Sequence, residues 1–322
     1  MKWINNVIWF AVGGIVCLAL CLAIGFSDST RVIEERPVVS TVILSPEVPM
    51  QVTFCDNTLD LKRYNVYEGL DRELSSFTYF HSTVMLLFKR ANRYFPVIEP
   101  ILKANGIPDD FKYLAVIESH LDPNAVSPAR AVGMWQFLES TARECGLTVT
   151  PTVDERCHVQ RSTEAACRYL KDAYAKYGNW VTVAVSYNAG MGRISSEMDR
   201  QQVVSALDLW LVEESSRYVY RMLAVKQIFE HPSKYGFVLT AKNLYKPLVY
   251  KEVTVSNDIP DLVAYAKEQG VTYADLKRFN PWLKDTKLNV AGKSFVLHIP
   301  HRESVSYETP NRTVHDERWT VQ

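Results

Sequence analysis

From about Val66 to Tyr245 the apolar residues recur at helical spacing, and no strand-like alternation interrupts them. Such a stretch, about 180 residues, is long enough to bury a core of its own. The spacing predicts helices over 75–95, 99–105, 109–120, 139–145, 163–177, 180–187 and 215–229. Ser162 or Thr163 can cap the fifth and Gly178 can end it. After Pro247 the texture changes. Residues 248–255 read as a strand, Asn257 or Asp258 as a helix cap with Pro260 in the first turn, and Gly270 as that helix's end. Thr272 with Asp275 resembles a capping box opening a second helix that stops at Asn280-Pro281, and 293–299 alternates like a strand. The fold class expected is mostly α: a helical domain over 66–246 and a β-α-α-β unit over 247–300. Residues 27–65, with Pro37, Pro46 and Pro49, read as a linker or short strand-bearing lead-in. The polar stretch 301–322 is expected to fray.

Residues 7–26 form an uncharged apolar run, preceded by Lys2 as the one charge. About 20 such residues can cross a bilayer as a helix. The run is longer than the core of a typical signal peptide, which favours an uncleaved anchor with the bulk of the chain on the non-cytoplasmic side. Ala23-Ile24-Gly25 keeps a cleaved signal as the alternative. With 36 basic and 36 acidic residues, the charge balance gives no pointer to nucleic acid. Cys55, Cys145, Cys157 and Cys167 would face an oxidising compartment. They admit either a disulfide or buried free thiols, and their spacing fits no zinc pattern.

One helix carries a discordant residue. In the segment 109–121, Phe111, Leu114, Ala115, Glu118 and Leu121 share a face, so a carboxylate interrupts an apolar stripe. A carboxyl so placed resists ionisation and can stay protonated near neutral pH. Such a group can give a proton to a glycosidic oxygen. A helix-end Glu that points to water or pairs with an Arg would have the same spacing. Three more segments stand out: Gly133-Met134-Trp135-Gln136-Phe137, Ser186-Tyr187-Asn188-Ala189-Gly190, and Glu214-Ser215-Ser216-Arg217-Tyr218-Val219. Singly each has a structural account. Trp135 and Phe137 can be core, Asn188 and Gly190 a helix C-cap, and Tyr218 a packed ring.

Together and in this order, the four segments resemble the lytic transglycosylase family, most closely its membrane-bound D-type branch. The family's Glu-Ser pair falls on Glu118-Ser119, its Gly-Leu-Trp-Gln-Phe on Gly133 to Phe137 with Met134 for Leu, its Ala-Tyr-Asn-Ala-Gly on Ser186 to Gly190, and its Tyr-Val on Tyr218-Val219. The resemblance covers about residues 80 to 230 and implies a goose-type-lysozyme-like helical fold. Leu121 stands where Phe is frequent, Arg130 where Gly is usual, Leu138-Glu139 for Met-Pro, and Tyr220 for Pro. Arg130 is expected to reshape the loop after Asn124. The unit 253–299 resembles a degenerate LysM module, with sugar binding and a structural add-on both open.

The resemblance implies that Glu118 is the catalytic acid. It implies further that Ser119, Met134, Gln136, Phe137, Tyr187, Asn188, Ala189, Gly190 and Tyr218 bind substrate or hold the acid, with no metal and no cofactor. The implied substrate is the glycan strand of peptidoglycan, cut on the periplasmic side of the envelope. Two carboxylates usually flank the bond in a glycosidase, and no second one shows the embedding of Glu118. A lytic transglycosylase needs only one. A hydrolytic muramidase and a non-catalytic peptidoglycan-binding protein are the competing readings.

Overall fold

The computed structural model describes residues 45–321. The apolar run 7–26 lies outside the described residues. Among those described, no helix is long and apolar enough to cross a membrane.

The described chain opens with a hairpin, β1 (Gln51–Phe54) against β2 (Asn57–Asp60), with Val52 opposite Leu59. Its turn puts Cys55 and Asp56 at φ 49° and 62°, the left-handed pair that a tight hairpin demands. The Cys55 N–H donates to Asp110 Oδ2 at 2.7 Å, and Lys226 Nζ donates to the other oxygen at 2.6 Å. A buried carboxylate thereby fixes the hairpin to the helical body.

Eight helices build that body: α1 (Tyr64–Tyr79), α2 (His81–Ala104), α3 (Lys112–Ser119), α4 (Glu139–Glu144), α5 (Val159–Tyr177), α6 (Trp180–Ala189), α7 (Met191–Gln201) and α8 (Glu213–Glu230). The α8 helix is buried on nearly every face and packs against α1, α3 and α6. It is the axle of the core.

Several expectations need correcting. The helix expected to be capped by Ser162 or Thr163 begins at Val159, with His158 at its N-cap and no side-chain cap, and the run 75–95 is split at Phe80 between α1 and α2. The break expected at Pro96 is absent, since α2 runs through Pro96 and Pro100. Its stripe Val84, Leu87, Phe88, Phe95, Ile98 and Leu102 is almost wholly buried. Each such side chain is worth roughly 1.5–3 kcal/mol, and together they outweigh the roughly 3 kcal/mol that each internal proline costs. The α7 helix was not expected, because its charged sequence buries only Ile194. The stretch 301–321 does not fray. Trp319 is buried against Phe88, Phe95 and Phe229, its Nε1–H donates to the Phe229 carbonyl at 3.0 Å, and Val321 N donates to Leu239 O. This C-terminal stretch completes the helical core.

The C-terminal unit is β-α-α-β as expected: β3 (Tyr250–Val255), α9 (Leu262–Glu268), α10 (Tyr273–Phe279) and β4 (Phe295–Pro300). The strands pair antiparallel, Tyr250 opposite Pro300 and Val255 opposite Phe295. Asp261, rather than Asn257 or Asp258, caps α9, accepting from Val263 N and Ala264 N. Thr272 caps α10 through Asp275 N. The unit's core of Leu262, Ala266, Leu276, Trp282, Leu288 and Leu297 also takes in Val132, Val153 and Cys157 from the body. All four described cysteines are free and buried, and burial pushes their thiols up, that of Cys167 to about 11.

Candidate active site

Glu118 lies in the last turn of α3, after five buried residues, Tyr113 to Ile117. The helix stops there because His120 and Leu121 both take left-handed backbone, φ 54° and 56°. The next residues turn back sharply. Asp122 is spent on that turn, accepting from Asn124 N and pairing with Arg90 at 3.2 Å.

The carboxyl of Glu118 is part-buried, and the Tyr218 hydroxyl donates to its Oε1. Burial raises the Glu118 pKa above the usual carboxylate range. The Tyr218 hydrogen bond and the Arg221 charge oppose that shift, while the Glu214 charge adds to it. The net direction is upward, so the acid form is favoured relative to a free glutamate. Tyr218 is itself buried, and with the neighbouring Glu118 charge this pushes its phenol well above its ordinary value. It is a standing donor, not a proton source.

The facing wall is the turn 133–137. Gly133 sits at φ 86°, and a Cβ there would lie 1.9 Å from the Arg156 carbonyl oxygen, so only glycine fits. Gln136 takes φ 49° and donates its Nε2 to Gly133 O at 2.8 Å and Ala125 O at 3.3 Å. Trp135 is wholly buried and donates to Thr163 Oγ1 at 2.9 Å. Tyr187 closes the floor, its hydroxyl donating to Trp135 O at 2.8 Å and its ring set edge-on to Phe137 and Tyr169. Gly190, at φ 85°, is the hinge between α6 and α7, and a Cβ there would meet open space. Asn188 Oδ1 accepts from Ser215 Oγ at 3.0 Å, tying the end of α6 to the start of α8.

These parts enclose a cleft of about 570 Å³ that brings together Glu118, Gln136, Phe137, Tyr187, Asn188, Ala189 and Gly190. Ser119, Met134 and Tyr218 do not line it. Ser119 Oγ donates to Met134 O at 2.8 Å, so the residue beside the acid ties the two walls together. The Met134 side chain is packed into the core. Tyr218 stands behind the acid. The sequence reading missed Tyr169, loop residues 127–129 and 131, Leu138, Thr141 and the exposed Glu214 as lining residues. Glu214 was within reach, since it lies one helical turn before Tyr218. It also lines a second concavity of about 580 Å³, with His120, Arg217, Arg221 and Phe80. Arg217 is not free there, since its guanidinium forks onto buried Glu73 at 2.6 and 3.1 Å. Arg130 takes a left-handed φ of 61°, a region that glycine enters more freely than a residue with a Cβ. Among the described residues, no group of three or more His, Cys, Asp or Glu is placed to hold a metal.

The site is thus a part-buried acid facing an open cleft, and the chain is similar to known proteins in both of its parts. Residues 96–206 match the transglycosylase SLT domain, and residues 251–303 match the soluble lytic transglycosylase C-terminal LysM-like domain. The chain is homologous to the membrane-bound lytic murein transglycosylase D of Escherichia coli (strain K12), 29% identical over 244 residues, which are 74% of this chain and 52% of that one. It thus spans about half the length of that curated relative. The peptidoglycan transglycosylase gp16 of Escherichia phage T7 is 32% identical over 123 residues, 37% of this chain and 9% of that one. Among solved structures, the 70 kDa soluble lytic transglycosylase of Escherichia coli aligns with 42% of this chain and 24% of its own, at 21% identity and a TM-score of 0.38.

Proposed function

We propose that the chain is a lytic transglycosylase. It cleaves the β-1,4 bond between N-acetylmuramic acid and N-acetylglucosamine in peptidoglycan without water, leaving 1,6-anhydro-N-acetylmuramic acid ends. The observation that carries this reading is Glu118, a part-buried carboxyl in the cleft with raised pKa and a fixed phenol donor. Its acid form protonates the leaving oxygen. The substrate's 2-acetamido group stabilises the cationic centre. The carboxylate left behind then takes the proton of the same sugar's 6-hydroxyl, which closes the anhydro ring. One carboxyl thus serves both steps. Gln136, Phe137, Tyr187 and Asn188 line the strand's path, and Ser119, Met134 and Tyr218 hold the walls in place. Residues 7–26 anchor the chain to a membrane, with the cleft on the peptidoglycan side.

Glu214 supports the second reading, a hydrolytic muramidase, because its exposed carboxylate at the cleft edge could orient a water. Mass spectrometry of digested peptidoglycan separates the two. Anhydro ends, lighter by one water than hydrolytic ends, are expected. Hydrolytic ends would move the chain to the muramidases, and no cleavage at all would leave a binding protein.

A further inference from the structure

We propose that the LysM-like unit is a brace for the cleft wall, with Arg156 as the positioning residue through which it acts. The proposal rests on reading the cleft as the glycan site. The unit's loop after α10 is hydrogen-bonded to the body's segment 148–157. Asp154 N donates to Trp282 O at 2.8 Å and Lys284 N to Thr152 O at 2.9 Å, while Val153 bridges Leu283 as an antiparallel pair. Lys293 Nζ reaches Thr148 Oγ1 at 2.9 Å. Val153 and Leu283 are both buried, so the seam is a shared core rather than a surface touch.

From that seam one buried side chain runs to the cleft. Arg156 forks onto Asp154 with Nε and Nη2, at 2.9 and 2.8 Å. Its Nη1 donates to Phe137 O at 3.2 Å and, more weakly, to Arg130 O at 3.4 Å. Its own carbonyl fills the space that the missing Cβ of Gly133 leaves. The turn carrying Gln136 and Phe137 therefore rests on Arg156 by both backbone and side chain. Val132, paired with Phe137 through N–H···O bonds of 3.0 and 3.1 Å in the two directions, inserts its side chain into the unit's core. A lysine at 156 could keep the charge but not the fork, which needs several donors in one plane.

The test uses the chain from residue 45 to its end and two variants, one on each side of the seam. For Arg156→Lys, KM on short soluble glycans should rise about tenfold, the worth of one hydrogen bond to a charged group. Its kcat and its pH profile should stay put, because Glu118 is untouched. For Leu283→Ala, in the unit itself, KM should rise in the same direction while retention on purified sacculi is unchanged. Amide hydrogen exchange at Val132 and Phe137 should quicken in both, a readout that does not depend on turnover. Unchanged exchange and KM in folded Arg156→Lys would overturn the proposal. So would a Leu283→Ala chain that loses sacculus retention with KM intact, which would make the unit a glycan hook. An inactive parent chain would sink the transglycosylase reading instead, and the exchange data would still decide the brace.

Discussion

The two walls of the cleft are held by different means. The acid wall is helix on helix. Glu118 comes at the end of a buried α3, and Tyr218 reaches it from the largely buried α8. The facing wall has almost no regular structure. Its turn is fixed by a glycine with no room for a Cβ, a left-handed Gln136, and the Arg156 guanidinium behind it. Helical packing sets the acid's environment. Loop contacts, together with the seam to the LysM-like unit, hold the facing side of the cleft. Substitutions on the acid wall should therefore change turnover and its pH dependence. Those on the loop wall should change binding and stability.

The largest effect is expected on the acid wall. Glu118→Gln keeps the shape and still accepts from the Tyr218 hydroxyl, but it can neither give nor take a proton. Turnover should fall by about 10² to 10⁴-fold or more, since general acid–base catalysis is worth that much and Glu118 would serve twice under the proposed mechanism. The fold should not suffer. A carboxyl whose folded pKa is raised contributes most below its unfolded value, and that contribution is lost as pH rises through the folded pKa. At neutral pH the glutamine chain should therefore melt no lower than the parent. Kinetics and thermal melts on one preparation check both halves. Substantial turnover by a folded variant would assign the chemistry elsewhere.

The C-terminal stretch gives the next effect, on stability alone. Trp319→Ala removes a buried indole that packs on Phe88, Phe95 and Phe229. Large aromatic truncations of this kind cost about 3–5 kcal/mol. Denaturant unfolding should show that loss, and a cost under about 1 kcal/mol would return the segment to the frayed tail that its polar sequence suggests.

Trp319 also shows where legibility ended. The helical body and the β-α-α-β unit were readable because period and turn signals encode them, whereas Glu118 and the cleft residues stood out only through the ordered motifs that carry the family resemblance. Trp319 was not readable, since one aromatic in a polar stretch carries no period and its partners lie about 90 residues or more away in sequence. The same holds for Arg156. Its burial depends on Asp154 beside it and on carbonyls some 20 residues back, and backbone carbonyls leave no mark in a sequence. Ser119, Met134 and Tyr218 show another limit, since none of them lines the cleft. Their motifs placed them near the site, but whether a side chain faces the cleft or the core depends on backbone angles that spacing does not give.

A smaller, more diagnostic effect is expected from Tyr218→Phe. The Tyr218 hydroxyl favours the ionised form of Glu118, and burial opposes it. Without the hydroxyl the Glu118 pKa should rise further. The limb of the pH–rate profile on which activity falls as the acid ionises should move to higher pH, with turnover reduced about tenfold from a less firmly held acid. On the loop wall, Arg156→Lys should leave that limb where it is. A limb that moved equally in both variants would erase the distinction between the walls.

The smallest effect belongs to Arg130, on the loop wall. Its φ of 61° is left-handed, which costs a residue with a Cβ roughly 1–2 kcal/mol relative to the right-handed regions. Glycine avoids that strain but loses more backbone freedom on folding, by roughly 0.5–1 kcal/mol. The two nearly cancel, so Arg130→Gly should raise stability by no more than about 1 kcal/mol. The bonds that hold this turn are backbone ones, Arg130 N to Ser127 O at 2.8 Å and Ser127 N to Ala131 O at 2.9 Å, and glycine keeps both. KM should therefore stay close to the parent value. A clear rise in KM without a loss of stability would mean that the guanidinium itself meets the substrate, giving the loop wall a charged contact that its backbone scaffolding does not require.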